Sequence, residues 1–265
     1  MTRPIRLAIN GASGRMGSAI QGLLEDDTRF ELAFAVTAAG TALDRRPTLV
    51  RQTDGARYSS DWTAAPPLDV VIDFSSPSAV GAALDHCIAN GVALVTGTTG
   101  IDAALELRLV DAAKNIAILR AANFSIGVAV LTRLVREAAA ALPEWDVEIV
   151  EAHHARKLDA PSGTALALGR AAAAARRTTL DAAAVRSGEG RNGERVSGDI
   201  GFAVVRGGDI VGEHLAMLMG QGERLELGHR ATDRSIFARG ALQAAHWLVG
   251  RAAGQWQLED VIATT

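Results

Sequence analysis

The chain has 265 residues, enough for two domains with a sizeable core, and its formal net charge of −3 gives no general attraction for nucleic acid or an anionic membrane surface. No apolar run is long enough to span a bilayer and no secretory signal precedes the first strand, so we expect neither a membrane segment nor export. Cys87 is the only cysteine, which excludes an internal disulfide and favours a soluble protein of the reducing cytoplasm.

A glycine-rich turn follows the first predicted strand, Ile5–Ile9. Its sequence, Gly11-Ala-Ser-Gly-Arg-Met-Gly17, has the spacing G-x-x-G-x-x-G, and Ser18–Leu24 then has the pattern of a helix. Such a turn between a strand and a helix lets the pyrophosphate of a dinucleotide reach the helix N-terminus. A plain tight turn is the alternative, but the position directly after the first strand favours a dinucleotide site.

The end of the second predicted strand, Phe30–Val36, bears on the choice between NADH and NADPH. NAD-specific sites usually place an acid there to bind the ribose 2′-hydroxyl, whereas this strand is followed by Thr37 and Ala38. We therefore expect NADPH, or both cofactors, to be used. Arg45 and Arg46 are close enough in sequence to meet a 2′-phosphate, although a solvated loop is the plainer interpretation of both.

Three further predicted strands each end in a polar or glycine-containing loop, and open α/β sheets bind ligands at such loops. The strands are Asp69–Phe74, Val92–Thr96 and Ile116–Leu119, and the loops are Ser75–Pro77, Gly97–Gly100 and Ala121–Ser125. Apolar runs such as Val-Val-Ile in the first of them are typical of strands buried on both faces of a parallel sheet. The alternation of strands and helices predicts a right-handed, doubly wound sheet.

Two adjacent imidazoles and a lysine follow the predicted strand Asp146–Ala152. His153, His154 and Lys157 stand within five residues, and Lys157 is one of only two lysines in a chain that otherwise uses arginine. A lysine ammonium can lose its proton in a desolvated site, and histidine titrates near neutral pH. This group can therefore donate protons and hold an anion.

The start of the next predicted helix, 163–177, offers a place for that anion. Pro161 and Ser162 supply turn and N-cap chemistry, and cations occupy the last turn of the predicted helix. The backbone N–H groups of Gly163 and Thr164 would point out of the helix start, where they bind carboxylate or phosphate. An ordinary capped loop without a ligand is the alternative interpretation.

The pattern changes after this helix. Asp181–Arg195 predicts a loop, whereas Ile200–Val205, Asp209–His214 and Arg224–His229 predict strands, and Phe237–Leu248 predicts a helix. Glycine turns at 206–208 and 220–222 join the strands, so we expect consecutive strands to pair as antiparallel neighbours. The expected fold class is α/β, with a Rossmann-like doubly wound parallel sheet plus a smaller α+β domain that has a mixed, mainly antiparallel sheet.

The remaining histidines and the cysteine carry no predicted chemistry. The histidines lack the spacing of a metal site, so no metal is expected and we interpret them as structural or surface residues; they are His86, His214, His229 and His246. Cys87 lies in the helical pattern 79–90 and is interpreted as a small buried hydrophobic residue.

Together these motifs resemble the 4-hydroxy-tetrahydrodipicolinate reductase family, also called dihydrodipicolinate reductase. The matching stretches follow the family order over nearly the whole chain; they are Gly11–Gly17, Gly97–Gly100, Ala121–Ser125, Glu151–His154, Lys157–Ala165 and Ile200–His214. The resemblance implies a dinucleotide-binding domain at 1–124, completed by 234–265, and a substrate-binding and oligomerisation domain at 125–233. It also implies that NADPH or NADH reduces a small cyclic dicarboxylate with loss of water, in lysine biosynthesis, and that the chain forms a homotetramer.

The resemblance further implies roles for individual residues. His153 matches the acid/base of the family, and Lys157 matches its second proton donor. His154, Gly163 and Thr164 match its substrate-binding positions. The positions that match its cofactor contacts are Gly11, Ala12, Ser13, Gly14, Arg15, Met16, Gly97, Thr98, Thr99, Ala121, Ala122, Asn123 and Phe124.

Two other functions remain as alternatives. One is a different two-domain nicotinamide-dependent reductase of a small substrate, which would not need Lys157 beside an anion site. The other, more remote, is a non-catalytic nucleotide-binding regulator. Such a regulator would not need to keep both His153 and Lys157.

Overall fold

The computed structural model describes residues 3–41, 46, 48, 56–186 and 193–263. Arg45, considered above as a partner for a 2′-phosphate, lies outside the described residues. The chain divides into two compact units, which are residues 1–125 with 235–265 (unit 1) and residues 126–234 (unit 2).

The secondary structure agrees closely with the sequence pattern in the first half of the chain. The described strands are β1 (Ile5–Asn10), β2 (Phe30–Val36), β3 (Tyr58–Ser59), β4 (Val70–Asp73), β5 (Ala93–Thr96), β6 (Ala117–Arg120), β7 (Asp146–His153), β8 (Ala184–Arg186), β9 (Ile200–Arg206), β10 (Gly212–Met219), β11 (Arg224–Ala231) and β12 (Gly254–Trp256). The described α-helices are α1 (Arg15–Leu24), α2 (Pro77–Asn90), α3 (Ala103–Ala112), α4 (Ile126–Ala141), α5 (Gly163–Ala175), α6 (Leu180–Ala183), α7 (Ser235–Leu248) and α8 (Leu258–Ala263), with a short 3₁₀ helix at Trp62–Ala64. None of these helices combines the length and hydrophobicity needed to cross a bilayer.

Unit 1 is built on a seven-stranded sheet in the order β12-β6-β5-β4-β1-β2-β3, in which every pairing is parallel. All residues of β4 and β5 are buried, so both faces of the sheet are covered. α2 and α3 belong to one buried cluster with Val71, Leu94 and Ile118 of the sheet, and α7 contacts β4, β5 and β6. The predicted doubly wound parallel sheet is confirmed.

Unit 2 contains a mixed five-stranded sheet in the order β11-β10-β7-β9-β8. β10 pairs antiparallel with β11 and β7, whereas β9 pairs parallel with β7 and β8. α4 and α5 pack on this sheet around Val147, Ile149, Ala216 and Leu218. The mixed sheet predicted for the smaller domain is therefore confirmed, but two of its pairings are antiparallel and two are parallel, so it is not mainly antiparallel.

The predicted pairing of consecutive strands is wrong in one place. β9 and β10 do not form a hairpin, because β7 lies between them in the sheet. The strand predicted at Asp209–His214 begins only at Gly212 and continues to Met219. The residues of a turn report only on local structure and could not reveal this arrangement. β7 comes from much earlier in the chain and hydrogen-bonds to both β9 and β10.

Two expectations for the segment around the end of α5 are also corrected. α5 ends at Ala175, so the predicted terminal cations lie beyond it: Arg177 has a φ of 59°, and the Arg176 guanidinium donates to the carbonyl of Leu142 at 3.0 Å. The predicted loop Asp181–Arg195 starts within α6 and β8, while residues 187–192 lie outside the described residues.

Cys87 is a buried residue of α2, as predicted. Burial raises the pKa of its thiol, so the reactive thiolate form is disfavoured. Across the described residues, no group of three or more His, Cys, Asp or Glu side chains is arranged to hold a metal ion.

Candidate active site

The loops predicted to hold a dinucleotide lie at one edge of the unit 1 sheet. Residues 11–14 follow β1 and lead into α1, whose first residues are Arg15 and Met16. Residues 97–99 follow β5, and residues 121–124 follow β6. These strands are parallel and lie in the order β6-β5-β4-β1, so all the predicted cofactor positions meet at the carboxyl edge of the sheet.

The glycine-rich loop after β1 approaches neighbouring backbone so closely that only glycine fits at two positions. A Cβ on Gly11 would lie 2.5 Å from the carbonyl oxygen of Phe74, and a Cβ on Gly17 would lie 2.4 Å from that of Gly11. Gly11 also has a φ of 82°, which glycine adopts without strain. Gly14 is the N-cap of α1 and brings no side chain to bond the first N–H groups of the helix. The start of α1 therefore fits the pyrophosphate of a dinucleotide.

The residue after β2, where an acid would bind an adenine ribose, is a buried threonine. The Oγ1 of Thr37 lies 2.8 Å from the Oγ of Ser13 in the glycine-rich loop. This hydroxyl pair links the end of β2 to the loop. Neither side chain carries a charge, so neither repels a 2′-phosphate.

A buried carboxylate joins the ends of three strands beneath these loops. Asp73, the last residue of β4, accepts hydrogen bonds from Asn10 Nδ2 at 2.8 Å, Thr96 Oγ1 at 2.6 Å and Thr98 Oγ1 at 2.7 Å, and also from the hydroxyl of Ser75. Thr98 Oγ1 in turn accepts the backbone N–H of Ser75 at 3.0 Å. Asp73 thus fixes the spacing of the loops that follow β1, β4 and β5.

An aromatic pair supports the loops after β5 and β6. The rings of Phe74 and Phe124 meet edge to face, with centroids 5.2 Å apart. Phe74 also packs directly on Gly97, since a Cβ there would lie 2.1 Å from a ring carbon. Within the loop after β6, the Oδ1 of Asn123 accepts the backbone N–H of Ser125 at 2.8 Å. These contacts hold the two loops against each other.

In unit 2, strand register brings four polar side chains together at the end of β7. Glu151 and His153 are two residues apart on the strand, so they project from the same face. Glu151 lies opposite His214 of β10, and His153 lies beside Arg206 of β9. Ser162, at the start of α5, bonds to both Glu151 and His214. We refer to Glu151, His153, Arg206 and His214 as the β7 cluster.

Glu151 is buried, and both of its carboxylate oxygens are hydrogen-bonded. Arg206 donates to Oε1 and to Oε2, each at 2.8 Å, and the Ser162 backbone N–H donates to Oε1 at 2.9 Å. The Nδ1 of His153 bonds to Oε2. Burial alone would raise the pKa of Glu151, but the bonds from Arg206, His153 and Ser162 outweigh burial and hold that pKa below its ordinary value.

His214 is buried against His153. The two rings meet edge to face with centroids 5.2 Å apart, and the Nε2 of His214 lies 3.2 Å from the Oγ of Ser162. Burial, reinforced by the neighbouring His153, lowers the pKa of His214 to about 4. At neutral pH His214 is therefore uncharged and places no positive charge beside His153.

Lys157 and His154 lie in the loop after β7. The Nζ of Lys157 bonds to both carboxylate oxygens of Asp159, at 2.7 and 2.9 Å, and this contact lowers the pKa of Asp159. The Nδ1 of His154 is buried and has no hydrogen-bond partner among the described residues. Burial, followed by the charge of Arg156, lowers the pKa of His154. His154 thus offers a polar atom that a ligand group could satisfy.

The start of α5 has the geometry of an anion site. Ser162 caps the helix, since its Oγ accepts the backbone N–H of Ala165 at 3.2 Å. Gly163 and Thr164 are the first two residues of the helix. A Cβ on Gly163 would have no atom within 4 Å, so the backbone is accessible on that side. The helix dipole and the first N–H groups favour a carboxylate there.

The sequence patterns above do not identify Asp73, Glu151, Arg206 or His214 as site residues. They place Arg206 in a glycine turn and His214 among structural or surface residues, whereas both side chains lie in the β7 cluster. The two-residue spacing of Glu151 and His153 on a strand is a signal that could have identified that pair. Arg206 and His214 leave no such signal, because they reach the cluster only through the pairing of distant strands.

Both units match one family of proteins. A sequence model described as Dihydrodipicolinate reductase, N-terminus, matches residues 5–124, and a second, described as Dihydrodipicolinate reductase, C-terminus, matches residues 127–262. The chain is 45% identical over 263 residues to the 4-hydroxy-tetrahydrodipicolinate reductase of Xanthomonas campestris pv. campestris (strain B100), covering 98% of this chain and 99% of the relative. It is 44% identical over 265 residues to the protein of the same name from Caulobacter vibrioides, covering 99% of this chain and 98% of the relative.

A solved structure shares the fold. It is the dipicolinate-bound dihydrodipicolinate reductase from Paenisporosarcina sp. TG-14, with a TM-score of 0.80 and 24% sequence identity. The superposition covers 97% of this chain and 99% of that one. At this identity the likeness bears on the fold alone.

Proposed function

The chain belongs to the dihydrodipicolinate reductase family, and from this premise we propose the roles that its residues have in the reaction. It is an NAD(P)H-dependent oxidoreductase of diaminopimelate and lysine biosynthesis that reduces 4-hydroxy-tetrahydrodipicolinate to tetrahydrodipicolinate with loss of water. One observation carries the proposal: His153 bonds to the buried carboxylate of Glu151, and Glu151 also accepts the backbone N–H of Ser162 at the start of α5. A proton-transfer group beside an anion site is what a dicarboxylate substrate requires.

In the proposal, the glycine-rich loop and the start of α1 hold the pyrophosphate of the cofactor. Residues 97–99 and 121–124 contact the remainder of it. The reduced nicotinamide supplies the hydride when it is bound. The positions of Gly11 and Gly17, where a Cβ would clash, and the N-cap at Gly14 support this assignment.

The substrate is bound through its carboxylates. One carboxylate accepts the backbone N–H groups of Gly163 and Thr164, and Lys157 supplies a positive charge to a carboxylate. His154 contacts the substrate through a ring whose Nδ1 has no hydrogen-bond partner in the described part of the chain. The dipicolinate named with the structural relative is a cyclic dicarboxylate, which supports a ligand of this class.

His153 and Lys157 move the protons. Loss of the 4-hydroxyl as water places one proton on the departing oxygen and removes one from the adjacent ring carbon. Hydride addition to the ring leaves an enamine, which takes up one proton. Over the whole reaction one hydride and one proton enter and one water leaves. His153 serves as the acid/base, and Lys157 serves as a second proton donor.

Three substitutions separate these roles. His153→Gln should lower turnover by about 10²–10⁴-fold and leave the cofactor dissociation constant unchanged, because it removes only proton transfer.

Lys157→Ala should lower kcat and raise the KM of the substrate, since it removes a proton donor and a charge. Thr164→Val keeps the backbone N–H but removes the hydroxyl at the helix start, so it should raise KM and leave kcat near the wild-type value. Steady-state kinetics give kcat and KM, and cofactor titration gives the dissociation constant. Wild-type kcat and KM for Lys157→Ala would contradict its proposed roles as a proton donor and as a partner of the substrate carboxylate.

The cofactor preference is proposed from the end of β2. Thr37 is uncharged, so it does not repel a 2′-phosphate, and NADPH should be used at least as well as NADH. Thr37→Glu should shift preference toward NADH, because a carboxylate accepts from the 2′-hydroxyl and repels a phosphate. Calorimetric titration of both cofactors tests this, and a clear wild-type preference for NADH would contradict it.

Domain roles and assembly complete the proposal. Residues 1–124, completed by 234–265, bind the dinucleotide, and residues 125–233 bind the substrate and form the subunit contacts. One face of the unit 2 sheet carries Val150, Leu215 and Met217, which are only partly buried in the single chain, and Val205, which is 48% exposed. Glu148 and Glu213 lie on the same face. The partly exposed apolar residues between them favour contact with a second copy of the chain, and we propose a homotetramer in the cytoplasm.

A further inference from the structure

We propose that Glu151 and Arg206 are positioning residues that hold His153 in a single tautomer, with the proton on Nδ1 and with Nε2 directed to the reaction. Neither residue touches the substrate in this account; both act through His153. The inference rests on the proposed function, in which His153 is the acid/base.

The tautomer follows from the partners of Glu151. A guanidinium and a backbone N–H can only donate, and together they make three bonds to Glu151, at 2.8, 2.8 and 2.9 Å. The carboxylate is therefore an acceptor in all three. The pKa of Glu151 lies below its ordinary value, so at neutral pH Glu151 is ionised and has no hydrogen to donate. The hydrogen in its contact with His153 therefore belongs to Nδ1, and the lone pair of a neutral ring lies on Nε2.

Arg206 keeps the carboxylate in place. Its two terminal nitrogens reach the two oxygens of Glu151 in parallel, and the Glu151 side chain has no exposed surface. One of these nitrogens also donates to the backbone carbonyl of Asp159 at 2.7 Å. Arg206 thus connects Glu151 to the loop whose Asp159 side chain holds Lys157. One guanidinium thereby orders the segments that carry both proposed proton donors.

The ring of His153 is confined on other sides as well. The ring of His214 meets it edge to face. A Cβ on Gly212 would lie 3.1 Å from its Nε2, so the absence of a side chain at 212 leaves room for that nitrogen. With Glu151 on Nδ1, these contacts restrict rotation of the ring and leave Nε2 as the atom that exchanges a proton.

The test is a double-mutant cycle between Glu151→Gln and His153→Ala. Glutamine keeps the shape of the side chain but can donate from its amide, so Nδ1 loses its obligatory acceptor. We expect kcat to fall by about 10²-fold or more, with the substrate KM within about threefold of wild type. In the His153→Ala background the same change should lower kcat no further, because the residue it positions is gone.

A matched control distinguishes positioning from general damage. Asp69 has the same kinds of donor as Glu151, since the Arg3 guanidinium donates to both its oxygens at 2.7 Å and the Arg6 backbone N–H donates at 2.7 Å. Asp69→Asn should leave kcat unchanged. Arg206→Lys is the second variant should Glu151→Gln fail to fold. It keeps the charge but not the parallel bonds, and because Arg206 also contacts the loop that carries Asp159, it should lower kcat by a larger factor in the wild type than in the His153→Ala background.

The outcomes distinguish the acid/base role of His153 from its positioning by Glu151 and Arg206. If His153→Ala alone keeps wild-type turnover, the proposed acid/base role fails. If His153→Ala is slow while Glu151→Gln and Arg206→Lys are both fast, only the positioning inference is overturned. The inference is also overturned if either variant slows the His153→Ala enzyme as much as it slows the wild type, because that effect would not pass through His153.

Discussion

Three histidines lie at the candidate active site, and their neighbours give each a different character. His153 bonds through Nδ1 to a buried carboxylate, and His214 is buried beside it with a pKa of about 4. The Nδ1 of His154 is buried, with no partner among the residues described. The chemistry of an imidazole follows from what its two nitrogens contact. The adjacent His153 and His154 are therefore not interchangeable, although the sequence presents them as a pair.

The depressed pKa of His214 makes a prediction for stability. Its folded pKa of about 4 lies below the ordinary value of 6.5, so between these pH values the unfolded chain binds more protons than the folded one. The stabilisation is complete above about pH 6.5 and is lost as pH falls toward 4, by up to roughly 3 kcal/mol in the free energy of unfolding. The groups that act on His214 are His153, Glu151, His229 and Lys157.

Denaturant unfolding at a series of pH values measures this effect, with His214→Gln as the reference that cannot titrate. The wild type should lose more stability than His214→Gln between pH 6.5 and 4. The lowered pKa of Glu151 also removes stability at acid pH, but it does so in both proteins. Parallel pH profiles for the two proteins would show that His214 is not held neutral.

At the scale of elements, the carboxyl edge of the unit 1 sheet depends on one residue of β4. Asp73→Asn replaces one acceptor oxygen with an NH2 group and removes the charge. Either the amide of Asn10 loses its acceptor, or the hydroxyls of Thr96 and Thr98 must turn from donors into acceptors. We expect the loops to shift, the KM for the cofactor to rise by about tenfold, and stability to fall by about 1–3 kcal/mol. Steady-state kinetics with varied cofactor concentration measure the KM, and thermal unfolding measures the stability.

Asp85→Asn is the control for that prediction, because Asp85 pairs with Arg108 on the exposed surface of α2. It should change neither quantity measurably. A cofactor KM of Asp73→Asn equal to wild type would show that the loops hold their geometry without this carboxylate.

Elements were predictable where the signal is local. The six strands predicted between residues 5 and 152 are all present, with ends that differ by at most one residue. Five of them are apolar runs bounded by glycine or polar loops, which define the buried parallel strands of unit 1. The sixth, β7, shows the alternation of polar and apolar residues that is typical of a strand with two different faces. The capped start of α5 was also predictable, since Ser162 and Gly163 supply its N-cap and first residue in sequence. No local pattern shows which distant strands pair. For this reason the predicted hairpin of β9 and β10 was wrong, and the contact of Arg206 with Glu151 was not predicted.

At the scale of the whole molecule, the unit 2 sheet has two different faces. Val147, Ile149, Ala216 and Leu218 pack against α4 and α5, while the alternate residues of the same strands project from the opposite face. If that face is the subunit contact of the proposed homotetramer, Met217→Asp should break the assembly, because it places a third carboxylate in the contact beside Glu148 and Glu226, the cross-strand partners of Met217.

Light scattering across a dilution series measures the assembly. The wild type should keep the mass of four protomers at assay concentrations, and Met217→Asp should have a lower mass. Leu107→Asp is the control: Leu107 is 70% exposed on α3 of unit 1, so its replacement should leave the tetramer intact. A wild-type protein that is monomeric and fully active would contradict the proposed assembly.

A reduction assay with freshly prepared 4-hydroxy-tetrahydrodipicolinate, run once with NADPH and once with NADH, tests the activity itself. We expect substrate-dependent oxidation of the cofactor, one equivalent for each tetrahydrodipicolinate formed, with NADPH used at least as well as NADH and with turnover about 10²–10⁴-fold lower for His153→Gln. The absence of substrate-dependent oxidation with both cofactors, in a folded protein that binds them, would contradict it.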